Sequence, residues 1–226
     1  VILCLLHNKL CRAAAERRSL MNIKTLVLGP VSTNCYICSE GKFGFVVDPA
    51  ANAEKIYEEA KNLTVKYIIV THAHFDHIEA AAKLKELTGA KLVISETDSK
   101  ALNDSTLNLA AAFGALVPHV EADITVKDGE TLSVDGFSIR FIMTPGHTQG
   151  SMCILVNNQY LFSGDTLFAL SVGRTDFPGG SFKDIVNSVR KLFLLDDGIK
   201  VFPGHNETTS IGEEKKFNPY VNGDNT

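Results

Sequence analysis

The stretch THAHFDH at 71–77 concentrates three imidazoles and a carboxylate within seven residues. It follows VKYIIV at 65–70, an apolar and β-branched run that reads as a strand. His72 and His74 stand two apart at that strand's end, so their side chains project to the same side and both can reach one ion. Asp76 and His77 follow at the start of a helix and can face a second ion. Three more candidates lie downstream, each at a strand end or in a Gly-flanked turn: His147 in TPGHTQGS, Asp165 in FSGDTLF and His205 in FPGHNET. Glycine lets the backbone bend sharply and bring a ligand close. With no cysteine nearby, these imidazoles and carboxylates form an N/O ligand set. Such a set suits zinc, iron(II) or manganese(II) better than copper(I) or an iron–sulfur cluster. His7 and His119 stand alone and are given no role.

These residues need a scaffold that gathers distant segments. From Met21 onward, strands are expected at 23–28, 33–38 and 43–47, then a helix at 53–62 with Asn52 as its N-cap. After the strand at 65–70, a helix at 78–88 stops at Gly89. A strand at 91–94 follows, and 96–118 reads as a helix and a loop. Asp128-Gly129 and Asp135-Gly136 punctuate an expected β-meander from 124 to 142. Strands at 151–156 and 159–163 are joined by Asn157-Asn158, and a loop rich in Gly and Pro fills 164–180. A helix at 182–195 precedes a strand at 199–202, and a short polar helix and tail begin near 211. This order predicts an α/β (α+β) domain over 21–226: an αββα four-layer sandwich, two mixed β-sheets flanked by helices. Residues 1–20 break the pattern, and their apolar start is too short for a signal-peptide core. They are read as an extension, disordered or peripheral, from an upstream start or a ragged tail.

The 226 residues carry 22 Lys+Arg against 26 Asp+Glu, a formal net charge of −4. That argues against a nucleic-acid binder driven by bulk positive charge. No apolar run approaches the roughly 18 residues that span a bilayer. A soluble cytoplasmic protein is expected, with neither nucleic acid nor membrane as partner, monomeric or a homodimer. The five cysteines (4, 11, 35, 38 and 153) are odd in number and irregularly spaced, which disfavours a disulfide framework. Cys35 and Cys38 form a C-x-x-C on an expected strand. Side chains three apart there point to opposite faces, so the pair is poorly placed to chelate or bridge.

H-x-H-x-D-H, then PGHT, SGDTLF and PGH, resembles the pattern of the metallo-β-lactamase superfamily, and more narrowly its glyoxalase II-like (hydroxyacylglutathione hydrolase-like) branch. NCYI at 34–37, VVDPA at 46–50, GRTDFPGGS at 173–181 and IGEEKKFNPYV at 211–221 are similar to small single-domain members of that branch. The resemblance covers about 21–221. It implies the αββα sandwich, with the site at one edge between the sheets, and a binuclear centre of two divalent ions, zinc first, iron or manganese otherwise. By motif, His72, His74 and His147 match the ligands of one ion. Asp76, His77 and His205 match those of the other, and Asp165 matches the bridging carboxylate. Asp48 matches an acid behind the ligands, or is simply a strand-ending residue. The helical domain that grips glutathione in full glyoxalase II enzymes is not found in the 21 residues after His205. The resemblance therefore speaks to the chemistry more than to the substrate.

A water between two such ions becomes a hydroxide nucleophile near neutral pH. A small-molecule thioester of the S-lactoylglutathione type suits the site, because its thiolate leaves without a separate general acid. Asp76 is also a candidate to relay the water's proton. No G-x-S-x-G elbow is present, which disfavours serine hydrolysis. The main alternative is a mononuclear-iron persulfide dioxygenase of the same superfamily. Those enzymes share the motif and GRTDF, but usually read PAH where this chain has PGH. A nuclease would want a basic exosite or an extra domain. A lactonase or β-lactamase is permitted by the fold, and a non-catalytic metal-binding relic is a further reading. Arg174 is read either as steering an anionic substrate or as half of a buried ion pair with an acid such as Asp176.

Overall fold

Residues 21–222 are described by the computed structural model of the chain; the extension at 1–20, with Cys4, His7 and Cys11, lies outside them. Strand β2 (Thr33–Glu40) shows how one strand serves two cores. Cys35 and Ile37 face an outer core, Tyr36 and Cys38 an inner one. The C-x-x-C pair is thus split between opposite faces of a sheet, and burial pushes both thiols well above the usual range.

β2 lies between β1 (Asn22–Leu28) and β3 (Phe43–Val47), antiparallel to both. β4 (Thr64–Ile69), β5 (Lys91–Ser95) and β6 (Ile124–Val126) extend this sheet in parallel. Helices α1 (Ala53–Ala60), α2 (Phe75–Ile78) and α3 (Ala81–Thr88) belong to the same half. α1 begins where Asn52, in the left-handed region, accepts a hydrogen bond from Lys55 N. α3 ends on Gly89 at φ 67°.

The second sheet contains β7 (Thr131–Val134), β8 (Phe137–Met143), β9 (Met152–Val156) and β10 (Tyr160–Gly164). A small hairpin of β11 (Leu167–Phe168) and β12 (Ser171–Val172) follows. β13 (Lys200–Pro203) and β14 (Thr209–Ser210) complete the sheet in the order 14-13-10-9-8-7. The rings of Tyr36, Phe45, Phe141 and Phe162 fill the space between the sheets. Each such burial contributes about 1.5–3 kcal/mol. Ile56 of α1 and Leu84 of α3 pack on the first sheet's outer face, with Ile68 and Leu92. Helix α5 (Phe182–Leu192) packs Ile185, Val189 and Leu192 on the second sheet's outer face. The result is the four-layer αββα sandwich of two mixed sheets.

Four local expectations are corrected. The helix expected at 78–88 is two helices, because Ala80 N turns to donate to Pro49 O. The 124–142 meander does not exist as one sheet: β6 pairs in parallel with β5, while β7 and β8 form a hairpin in the other sheet. Asp123 holds the chain beside β5 by accepting from Leu92 N at 2.7 Å. The 96–118 stretch contains a 3-10 turn (Asp98–Asn103) and the single-turn α4 (Ala110–Phe113). The polar tail is packed: α6 (Ile211–Phe217) and α7 (Pro219–Asn222) put Ile211 and Val221 into the core beneath α5.

The parallel pairs matter most for the site. β3 and β4 end together, Val47 opposite Ile69. β10 and β13 also end together, Gly164 opposite Pro203. The segments that follow these strands therefore emerge at one edge of the sandwich, which gathers Asp48, the 71–77 motif, Asp165 and His205.

Candidate metal centre

The seven candidate ligands lie in one cluster. His74 Nδ1 is 3.1 Å from His72 Nε2 and 2.9 Å from His147 Nε2. His77 Nε2 lies 3.4 Å from both Asp76 Oδ2 and Asp165 Oδ1. His205 Nε2 lies 3.4 Å from Asp76 Oδ2 and 3.5 Å from Asp165 Oδ2, and the latter oxygen is 3.6 Å from His147 Nε2. Three overlapping groups can each hold an ion: His72–His74–His147, His72–His77–Asp165 and Asp76–His77–His205.

Backbone geometry makes this convergence work. Gly204 precedes His205 at a point where any Cβ would strike Asp165 Oδ1. Gly164 holds a left-handed φ of 50° beside the Thr71 side chain, which leaves no room for a larger residue before Asp165.

Hydrogen bonds behind the ligands aim them. Asp48 accepts from Thr71 N and Thr71 Oγ1, both at 2.8 Å, and holds His77 Nδ1 at 3.0 Å. These contacts fit the reading of Asp48 as an acid behind the candidate ligands. His72 Nδ1 is 3.1 Å from Thr71 Oγ1, and His147 Nδ1 donates to Arg174 O at 2.8 Å. In each ring the other nitrogen is left to face the cluster. Thr33 Oγ1 donates to Asp76 Oδ2 at 2.7 Å. The His205 loop is clamped from β2: Asn34 Nδ2 donates to Pro203 O and Asn206 O, and Tyr36 OH donates to Pro203 O.

Sequence reasoning missed Thr33, Asn34 and Tyr36 as supports, although the NCYI motif contained two of them. It also missed Asp98. Burial raises that carboxyl, while Thr148 Oγ1, Ala73 N and Gly150 N pull it down. Its neighbourhood, SETDS, has no signature that marks it. Arg174 differs from expectation as well. It meets Asp176 bidentately at 2.6–2.7 Å, but the pair is exposed, with the guanidinium 3.9 Å over the Phe177 ring.

The residues fit a cation on two grounds. Nitrogen ligands of a tetrahedral zinc ion, at about 2.0–2.1 Å each, sit roughly 3.3 Å from one another, close to the separations here. His77 Nε2 and Asp165 Oδ1 are buried with no hydrogen-bond partner, a costly state that a metal bond would relieve. The charges agree. Burial, reinforced by neighbouring imidazoles, holds His72 well below its usual value and His74 at about 3. Burial also works against protonation of His77 and His205, but Asp76, Asp48 and Asp165 lift His77 to about 9, and Asp165 and Asp76 lift His205 to about 10. Burial pushes Asp165 up, yet His77 and His205 hold it at about 2, and Asp76 is likewise held below the carboxylate range. Protons on His77 and His205 thus stand where a divalent charge would. The cluster reaches solvent through Asp76, Asp165 and His205, and a cleft of about 420 Å³ opens beside His74. A larger cleft of about 920 Å³ lies at the far ends of β4 and β5 and contains no histidine.

A model of the metallo-beta-lactamase superfamily matches residues 28–205. The chain is 35% identical over 211 residues to hydroxyacylglutathione hydrolase GloC of Haemophilus influenzae, covering 89% of this chain and 99% of that one. The solved structure of the BLEG-1 B3 metallo-beta-lactamase is similar with a TM-score of 0.85 at 32% identity, covering 89% of this chain and 100% of that one. That of TTHA1623 in a di-iron-bound form is similar with a TM-score of 0.77 at 31% identity, covering 87% and 99%. The match runs from the end of β1 to His205 and so takes in the whole cluster; this metal-binding chain belongs to the metallo-beta-lactamase superfamily, a family of metallo-hydrolases.

Proposed function

We propose that the chain hydrolyses small-molecule thioesters of the S-lactoylglutathione type, with two divalent cations held at the seven-residue cluster. The observation that carries the two-ion reading is Asp165. Its Oδ1 is within 3.4 Å of His77 and its Oδ2 is within 3.6 Å of His147 and His205, so one carboxylate faces both ligand groups. His72, His74 and His147 would hold one ion and Asp76, His77 and His205 the other, with Asp165 between them. Zinc suits this donor set, and the di-iron form of TTHA1623 supports iron as an alternative. Two such cations lower the pKa of water towards about 7 and polarise a carbonyl.

The chain's own residues do the rest. Asp76 is only partly buried, and Thr33 fixes its Oδ2, which leaves the carboxylate placed to take the attacking water's proton. Asp48 and Arg174 O hold the rings of His77 and His147 in orientation. A thiolate leaves without protonation, so the site needs no further acid. The thioester reading is supported by the similarity to GloC. Among the described residues no helix is long and apolar enough to cross a membrane.

The test is metal analysis of the purified protein with parallel assays of S-lactoylglutathione hydrolysis and of oxygen uptake with glutathione persulfide. Two ions per chain and hydrolysis that a chelator abolishes are expected. Full turnover after chelation, or oxygen uptake with one iron per chain, overturns the reading.

A further inference from the structure

Asp98 begins the 3-10 turn after β5, and none of its sequence neighbours is a candidate ligand. It is 6% exposed and accepts three hydrogen bonds. Its Oδ2 accepts from Ala73 N at 3.2 Å and from Thr148 Oγ1 at 2.8 Å. Its Oδ1 accepts from Gly150 N at 2.8 Å. Its own N–H donates to Ser95 Oγ at 3.1 Å, which fixes the carboxylate to the end of β5. Ala73 lies between His72 and His74, and Thr148 follows His147. One carboxylate therefore ties the loop that carries two of these histidines to the loop that carries the third. Other supports are Thr33 for Asp76, Asp48 for His77 and, through Thr71, for His72, and Asn34 with Tyr36 for the His205 loop; none of these reaches the His147 loop.

We propose that Asp98 is a positioning residue for the ion held by His72, His74 and His147, setting the spacing of their two loops and thereby that ion's affinity. The inference rests on the two-ion reading above. Chemistry explains why a carboxylate stands there. Each oxygen faces a backbone N–H, so it accepts on both sides. An asparagine has a single carbonyl, and its NH₂ would confront an N–H whichever way it turned. The fit is also tight. A Cβ on Gly150 would strike both Asp98 Oδ1 and Asp98 N. Finally, the loop positions matter because His72, His74 and His147 present single ring nitrogens 2.9–3.1 Å apart in sequence around one point. A shift of either loop opens that spacing.

The test measures zinc affinity of wild type, Asp98→Asn and Thr148→Val by competition with a chromophoric chelator. Bound zinc is counted by metal analysis, and each thermal midpoint is taken with and without Zn²⁺. Losing the support behind a ligand typically costs about 10–100-fold in metal affinity. Asp98→Asn is expected to weaken one of the two zinc ions by that factor. Thr148→Val removes one of the three accepted bonds and should weaken the same ion by less. The rise in midpoint on adding Zn²⁺ should shrink in the same order. A residue that merely pins the fold would lower the midpoint equally with and without zinc and leave both affinities unchanged. That result, or equal weakening of both ions, overturns the proposal. If Asp98→Asn does not fold, Thr148→Val decides by the same criterion. A wild type that binds a single zinc refutes the two-ion reading, while the ratio of variant to wild-type affinity for that zinc still judges Asp98.

Discussion

At the scale of single residues, the cluster sets like charges and unlike charges within one hydrogen-bond length. His77 and His205 are held protonated in the metal-free site by the carboxylates they face, whereas His72 and His74 are held neutral. A cation entering the site must therefore displace protons from the first pair and none from the second. The sign follows from the direction of each shift. Groups raised above the working pH release protons on binding, and groups lowered below it do not. At pH 7, zinc binding should release about two protons per chain from these rings, besides any from a metal-bound water, read by titration calorimetry in buffers of different ionisation enthalpy. The rings' contribution should fall towards zero as pH rises through about 9 for His77 and about 10 for His205, so affinity should rise with pH below that window and level off above it. Zinc binding with no proton release at pH 7 would show that the carboxylates pair elsewhere in solution. The seven cluster members were visible in the sequence because imidazoles and carboxylates bring their chemistry with them and sit in short motifs. Asp98, Asn34 and Tyr36 were not, because their partners are mostly backbone groups, with the Thr148 hydroxyl, from distant segments that meet only in the fold.

At the scale of elements, alternation and turn residues located most strands, and the failures share a cause. β6 is three residues long, and its place is decided by the parallel partner β5 rather than by its own pattern. The break between α2 and α3 comes from a hydrogen bond to Pro49, remote in sequence. The β9–β10 hairpin is the opposite case, since local chemistry dictates it. Asn157 and Asn158 sit at φ 52° and 53°, the left-handed pair at the centre of a turn that Gln159 N closes on Val156 O at 3.0 Å, within the three-residue connection 157–159 between the paired Val156 and Tyr160. Asn157 also accepts from Ser138 N at 2.8 Å. Asn158→Gly should therefore leave the protein at least as stable, because glycine occupies this region without a Cβ penalty and suits the second position of such a turn. Asn157→Ala should destabilise it by about 1–2 kcal/mol, from the strained φ and the lost acceptor. Both are read by urea unfolding. β10 runs away from this turn towards Asp165, so hydrolysis should be unaffected, and a destabilised Asn158→Gly would contradict the turn assignment.

At the scale of the whole molecule, the question is what the surface offers the part of a substrate remote from the scissile bond. The cleft beside His74 is lined by one cation, Lys100, together with the acids Glu96 and Asp98 and the uncharged polar Thr97, Thr148 and Gln149. Arg174 is already engaged by Asp176 and Phe177. The apolar part of the wall is formed by Ala101, Leu107 and Pro178, and nearby the half-exposed Phe113 packs against Phe177, itself 5.9 Å from the His74 ring. The chain's net charge of −4 adds no long-range attraction for an anionic thiol carrier. Glutathione carries two carboxylates, and these find little here that would strengthen as the transition state forms. Remote contacts raise turnover only when they do so. A comparatively flat profile across thiol carriers follows, set by the metal centre and by the apolar wall that any acyl thioester can touch. The measurement is kcat/KM for lactoyl esters of glutathione and of N-acetylcysteamine. A ratio below about a thousandfold is expected. A larger preference for glutathione, some 4 kcal/mol of differential transition-state binding, would mean that Lys100 and its neighbours recognise the tripeptide, and substitution of Lys100 by Ala would then collapse the preference.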